Sequence, residues 1–183
     1  MLYSKFAGGE ARALTDSFNS LVKRARKGDR HAFSLLYQEI YADLYRYACF
    51  VLRNSQDAED AVSEAVADAY ATIGRLRGED AFKSWMFTIL SRKCKKQLRS
   101  YYRDGGLLNS PPPADSFLPP AARAELKEAL RVLSDEERMI VALTVFGGYT
   151  SEETAKICKL NRNTVRSKYA RALKKLKAAL EEK

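Results

Sequence analysis

The 183-residue chain predicts an all-α protein of two small helical domains joined by a Pro-rich linker, the C-terminal one a helix-turn-helix. Three observations predict it. Apolar residues recur at spacings of three and four through most of the chain, and no alternating run bounded by turn residues argues for a strand. All five prolines fall in one stretch, Asp104 to Pro120, reading DGGLLNSPPPADSFLPP. Consecutive prolines cannot continue a helix and keep the chain extended, so this stretch divides two helical blocks. The second block reads helix, short helix, tight turn, longer helix, the order of a helix-turn-helix. The expected boundaries are a loose tail over 1–17, a first domain over 18–103, a linker over 104–120 and a second domain over 121–183.

Each element has its own signal. Phe33, Leu36, Tyr37, Ile40, Leu44, Tyr47, Ala48 and Val51 form the apolar stripe of an amphipathic helix. Asn54 to Gln56 interrupts it, and Asp57 is expected to cap a helix from Ala58 to about Ile73. A short loop, Arg75 to Glu79 with Gly78, leads to Asp80, expected to cap a helix carrying Phe82, Trp85, Met86, Ile89, Leu90 and Leu98. In the second block, Ser134 with Glu137 has capping-box spacing ahead of the apolar run Met139 to Phe146. Gly147-Gly148 ends that helix, Thr150 with Glu153 forms a second capping box, and Asn161 is a third cap. The last helix is expected to bury Val165, Tyr169, Leu173, Leu176 and Leu180 on one face.

Lys+Arg number 32 against 23 Asp+Glu, a net charge of +9 that favours a polyanionic partner. The excess is concentrated. Lys83 to Arg103 contains Lys83, Arg92, Lys93, Lys95, Lys96, Arg99 and Arg103 without an acid. Arg162 to Lys177 contains Arg162, Arg166, Lys168, Arg171, Lys174, Lys175 and Lys177, again without one. A solvated face explains either helix alone, but two such helices in separate domains point to phosphate backbones, which relieve the repulsion and release counterions. The helix from Asp57 to Asp68 is the reverse, with Glu59, Asp60 and Glu64 and no base, and suits a basic protein surface. Phe82, Trp85, Phe87, Tyr101 and Tyr102 interleave with the first basic helix. Such rings can stack unpaired bases, although Phe82, Trp85 and Ile89 have core spacing and Tyr101 and Tyr102 are the better surface contacts.

Other chemistry is poorly supported. Cys49, Cys94 and Cys158 are far apart in helix-like runs and read as buried free thiols, and with the single His31 they make no zinc pattern. Phosphodiester hydrolysis would need clustered carboxylates for metal, or a nucleophile with a base. The one carboxylate cluster lies along a single helix and His31 stands at a helix start, so no catalytic residue, cofactor or metal is expected. The N-terminus lacks the apolar core of a secretory signal and no run is long enough to span a membrane, so a cytoplasmic protein without membrane insertion is expected.

Three segments together resemble the small two-domain bacterial sigma factors of the extracytoplasmic-function group, in the sigma-70 family. They are Asp57-Ala-Glu-Asp60 with Glu64, Leu76 to Phe82 with Trp85, and Tyr149 to Ala155 with Asn163 to Lys168 and Arg171. The resemblance implies a transcription initiation factor, not an enzyme. It would bind core RNA polymerase through the β′ clamp helices and the β flap, and recognise the promoter −35 and −10 elements while promoting DNA melting. Asp57, Glu59, Asp60 and Glu64 would grip the clamp. Arg75, Arg77, Gly78 and Trp85 would belong to the site for a flipped −10 base, with Lys83, Arg92, Lys95, Lys96 and Arg99 along the strand. In the second domain Arg166, Ser167 and Arg171 would read base edges, and Arg162, Thr164, Lys168 and Lys174 would complete the −35 contact, the last three at phosphate. An anti-sigma protein, which restrains many members, is a further candidate partner.

This chain departs from the group at several positions. Ser63 stands where Gln is frequent, Arg92 and Lys96 replace a common Asn and Asp, and Asn163 replaces a frequent Gly. Lys159 occupies the turn position where Gly is common, at about 1 kcal/mol if left-handed. The competing reading is an operator-binding regulator, which would use only the second block and dimerise on palindromic half-sites.

Overall fold

The computed structural model describes residues 17–104 and 130–181; nearly all of the expected N-terminal tail and linker, with 121–129 and 182–183 of the expected second domain, lie outside them. The first half contains α1 (residues 17–26), α2 (Arg30–Leu52), α3 (Ser55–Thr72), a 3-10 turn (Ile73–Arg75) and α4 (Phe82–Asp104). The second contains α5 (Asp135–Val145), α6 (Ser151–Cys158) and α7 (Arg162–Glu181). No strand occurs among the described residues.

The first half is a bundle in which α2, α3 and α4 pack on one another. The inner face of α3 is Ala58, Ala61, Val62, Ala65 and Ala69, all buried. Small side chains there let α3 lie close against α2 and α4. Tyr47 is fully buried, and its hydroxyl shares a 2.8 Å hydrogen bond with Ser91, which satisfies both hydroxyls inside the bundle. Asp57 does not cap α3. The cap is Asn54, whose side chain accepts from the amides of Gln56 and Asp57, so the helix starts before Asp57. Asp80, expected to cap α4, instead accepts from the Asn19 side chain of α1 at 2.9 Å.

Both capping boxes of the second half are present. Ser134 and Glu137 close the start of α5, and Thr150 and Glu153 that of α6. Gly148 takes φ +65 after α5. Lys159 terminates α6 in the left-handed region, φ 56, and Asn161 accepts from the Asn163 amide at the start of α7. The buried face of α7 differs from the expected one: Val165 and Ala172 are buried, whereas Leu173 and Leu180 are 44% and 46% exposed. Ala172 meets Leu133 and Val141, with Tyr169 and Leu176 packed alongside.

The two halves are in contact. Met139, Ile140 and Leu143 of α5, with Ile157 and Cys158 of α6, belong to the same apolar cluster as Tyr47, Phe87 and Leu90. Helix α5 lies on α2, and α6 lies on α4.

Lys159→Gly should relieve the left-handed backbone and stabilise the chain by about 0.5–1 kcal/mol. Thr150→Ala should remove a cap and destabilise it by about 1 kcal/mol. Denaturant midpoints of the two variants should therefore move in opposite directions.

Candidate nucleic-acid interface

Helices α3 and α4 face each other across a groove of about 630 Å³, with Asp60 and Glu64 on one bank and Arg92, Lys96 and Arg99 on the other. The acids and bases that the sequence assigned to separate partners are thus neighbours. Lys93 joins the banks, with its ammonium 2.7 Å from Asp68 and 3.2 Å from Glu64. The Asp68 carboxylate, opposed by some desolvation and helped by Glu64, raises the Lys93 pKa and keeps it charged.

Of the acidic set, Glu59 and Asp60 are exposed. Glu64 is exposed but paired with Lys93. Asp57 turns inward, where its carboxylate accepts from Gln97 at 2.8 Å and from the Tyr101 hydroxyl. Burial, followed by the bond to Asp57, pushes the Tyr101 phenol upward, so it stays a donor. Tyr101 is therefore a half-buried strut between α3 and α4, while Tyr102 is 71% exposed.

The loop ahead of α4 is fastened at three points. Leu76 is buried, Glu79 accepts from Arg26 of α1 at 2.8 Å, and Asp80 is held by Asn19. Between these anchors Arg75, Arg77 and Gly78 are exposed, Gly78 at φ +86, a conformation that disfavours a side chain. Lys83 is exposed with its ammonium 5.2 Å from the Phe18 ring centroid. Trp85 is half-buried against Phe82, their centroids 6.1 Å apart. Arg92, Lys96 and Arg99 are exposed, whereas Lys95 is half-buried and donates to the Cys158 carbonyl at 3.1 Å.

Helix α7 is held to α5 by two ion pairs besides its apolar face. Lys168 meets Glu136 at 2.9 Å and Lys175 meets Glu137 at 2.7 Å. Arg162, Arg166, Ser167, Arg171 and Lys174 remain exposed on the outer side, and Thr164 is half-buried. The Ser167 hydroxyl donates to the Thr164 carbonyl and Arg171 donates to the Ser167 carbonyl, placing these side chains along one turn. Among the described residues, Lys168, expected at phosphate, has its ammonium already paired with an acid.

All three cysteines are free and buried. Burial pushes the Cys49 and Cys158 thiols up to about 11, and Cys94 further, leaving them protonated and unreactive at neutral pH.

Known proteins share this layout. The family model for sigma-70 region 2 matches residues 36–103 and that for sigma-70 region 4 matches residues 123–176. The extracytoplasmic-function (ECF) RNA polymerase sigma factor SigM of Mycobacterium tuberculosis is 31% identical over 151 residues, covering 81% of this chain and 77% of the relative. The chain belongs to the extracytoplasmic-function sigma factors. The sigma-E factor of Escherichia coli is likewise 31% identical, over 180 residues and 91% of its length. Among solved structures, the sigma factor RpoE of Bartonella quintana, in complex with the anti-sigma factor NepR, aligns with TM-score 0.69 and 27% identity over 79% of this chain and 95% of its own. CnrH, in complex with the cytosolic domain of CnrY, shares the fold with TM-score 0.70 and 23% identity over 90% of this chain and 97% of its own. As a member of this family the protein is an RNA polymerase sigma factor, acting in promoter recognition and transcription initiation and not as an enzyme.

Sequence reasoning missed Tyr149 as a packing residue. Its ring lies edge-on to Phe87 at 5.4 Å, and a Cβ on Gly147 would fall 2.5 Å from that ring. The Gly-Gly pair thus does more than end α5: Gly147 leaves room for Tyr149. Phe87, one step from the Met86 and Leu90 face, was the available hint of a second surface on α4.

Burial pushes the Glu137 carboxyl up, but Lys175 and Ser134 outweigh it and leave Glu137 below the ordinary 4.5. Its folded pKa is depressed, so its contribution is present above 4.5 and is lost as pH falls through the folded value. Glu137→Gln keeps the capping geometry without the charge and should cost about 1 kcal/mol at pH 7. Unfolding curves of variant and wild type should converge below pH 4.5.

Proposed function

We propose that α4 and its anchored loop bind the melted −10 strand, that α7 reads the −35 element in the major groove, and that the exposed end of the acidic bank docks on the β′ clamp helices of core polymerase. The observation that carries this reading is the outer face of α7. Arg162, Arg166, Arg171 and Lys174 stand exposed on a helix that two capping boxes and two ion pairs fix against α5. A helix held by its inner face and basic on its outer face is built to enter a groove lined with phosphate.

Roles follow from exposure. Arg166 and Arg171 have the reach for bidentate contact with guanine, and Ser167 lies between them. Arg162, Thr164 and Lys174 flank them toward the backbone, and Lys168 joins only by exchanging Glu136 for a phosphate. In the first half, Arg75, Arg77 and Gly78 form the rim at which an unstacked base would arrive, with Trp85 beneath and Lys83, Arg92, Lys95, Lys96 and Arg99 along the strand. Pulling out that base costs a few kcal/mol, which the fixed loop offsets by requiring no ordering of its own. Glu59 and Asp60 carry the clamp contact, Glu64 adds to it once released from Lys93, and Asp57 acts by holding Tyr101 and Gln97. The second half would also touch the β flap. An anti-sigma protein, present in the complex of the Bartonella relative, is a natural competitor for these surfaces. No described helix is long and apolar enough to cross a membrane, and such a factor would work in the cytoplasm beside polymerase.

Size-exclusion chromatography with bacterial core polymerase tests the reading. Wild type should co-elute, and Glu59→Lys/Asp60→Lys should not. A wild type that runs alone as a dimer would favour the operator-binding regulator. On promoter variants, Arg166→Ala should lose affinity only where the matching −35 base is present. Lys174→Ala should weaken all variants alike and lower the salt slope by about one. Equal loss on every variant for Arg166→Ala would remove its base-reading role.

A further inference from the structure

We propose that the unpartnered nitrogens of two guanidiniums, Arg53 and Arg138, form a binding site for a small tetrahedral oxyanion, either a free phosphate-type ion or the phosphate group of a small molecule. The site uses none of the residues assigned to promoter or polymerase, and the inference goes beyond that reading without resting on it.

The site lies where the end of α2, the last turn of α4 and the start of α5 come together. Arg53 closes α2, and Asp135 stands in the first turn of α5. Arg138 follows Asp135 by one turn and is only 2% exposed. Its Nη2 donates to the Asp135 carboxylate, which also accepts from the Tyr102 hydroxyl at 2.7 Å. The rest of the Arg138 fork is unspent. Its Nε and Nη1 are buried with no hydrogen-bond partner among the described residues, and so is Nε of Arg53. Of the five buried side-chain atoms in that condition among the described residues, three therefore belong to this pair.

Charge points the same way as geometry. Burial, followed by the Arg138 charge, lowers the Arg53 pKa, and Asp135 opposes them only in part. Arg131 adds a further positive charge to the same surroundings. Against these three cations the cluster sets one carboxylate, Asp135, and a phenol, Tyr102, that its bond to Asp135 keeps protonated. Arginine cannot shed its proton at working pH, so the excess is permanent.

Water satisfies orphan N–H groups but brings no charge, and a buried cation without a counter-charge is the costly arrangement. An oxyanion supplies acceptors and charge together. Donors from two separate planar forks suit a tetrahedral ion, whose oxygens point in several directions, better than a flat carboxylate. Tyr102, 71% exposed, and the exposed Arg131 leave the cluster open on their side, whereas Arg138 lies too deep for the backbone of a duplex to reach. The ligand is therefore small. Because it binds the folded chain alone, it stabilises the protein by mass action, and phosphate at about 100 times Kd should raise Tm by about 5–10 °C.

Isothermal calorimetry on the full chain, at fixed ionic strength in chloride, tests the site with inorganic phosphate, sulfate and adenosine monophosphate as probes. One saturable equivalent of phosphate should bind, and Arg53→Gln should weaken it at least about tenfold with helicity retained by circular dichroism. Arg138→Gln should do the same; if it does not fold, Arg53→Gln, at a half-buried position, still decides the question. Arg166→Ala/Lys174→Ala, which strips cations from the outer face of α7, should leave phosphate binding unchanged. Binding lost in that double variant but kept in Arg53→Gln would put the anion on the basic face of α7 and overturn the proposal. No saturable binding of any probe would overturn it too, leaving water on the orphan nitrogens. Adenosine monophosphate binding at least as tightly as phosphate would support the site and assign it to a phosphorylated small molecule. Phosphate and sulfate binding with the nucleotide refused would support it and assign it to a free ion. Polymerase and promoter are absent from every arm, so failure here and failure of the sigma-factor roles are separately visible.

Discussion

The positive charge of α4 is the constraint around which the first half is arranged. A helix running from Lys83 to Arg103 without an acid repels itself, and its neighbours divide the burden. Lys93 is neutralised by Glu64 and Asp68, while Lys95 is spent on the carbonyl of Cys158. Arg92, Lys96 and Arg99 stay exposed along the groove facing α3. What is left uncompensated is the part we propose meets a phosphate backbone. The same helix must also pack, so Phe82, Met86 and Leu90 face the bundle while Phe87 faces α6 and its turn.

The second half solves a simpler problem, presenting one basic face at a fixed angle. Capping boxes set the starts of α5 and α6, the left-handed Lys159 turns the chain, and Val165 and Ala172 bury the inner face of α7. Glu136 and Glu137 then tether two lysines of α7, which fixes its rotation as well as its position. The partly exposed Lys168–Glu136 pair contributes little to stability, but together with the Lys175 pair to buried Glu137 it selects which cations point outward.

Helix type and order were legible in the sequence because periodicity and capping are local. Both capping boxes, the Asn161 cap and the turn at Lys159 are where their residues place them. The misassigned caps failed for a physical reason: Asp57 and Asp80 found better partners in α4 and α1 than in their own backbone. On α7, periodicity alone could not separate Leu173 from Ala172, because a thin helical stripe drifts and the smaller residue fits the closer contact. The contact of the halves was illegible. It depends on Phe50 of α2, Phe87 of α4, and Phe146 and Tyr149 at the end of α5, three separate segments that meet only in three dimensions. The site residues were legible as charge, but not as pairing: nothing in the sequence shows that Lys168 and Lys93 are already held by acids.

The central proposal is that one chain carries two DNA-binding faces, on α4 and on α7, for two separate promoter elements. Cutting promoter DNA with an iron chelate tethered at Arg77→Cys in one preparation and Ser167→Cys in another, each bound to core polymerase, maps both faces on one coordinate. The account predicts two clusters of cuts about 25 base pairs apart, the Arg77→Cys cluster downstream at the melted region. Cuts at overlapping positions, or cutting from Ser167→Cys alone, would contradict it.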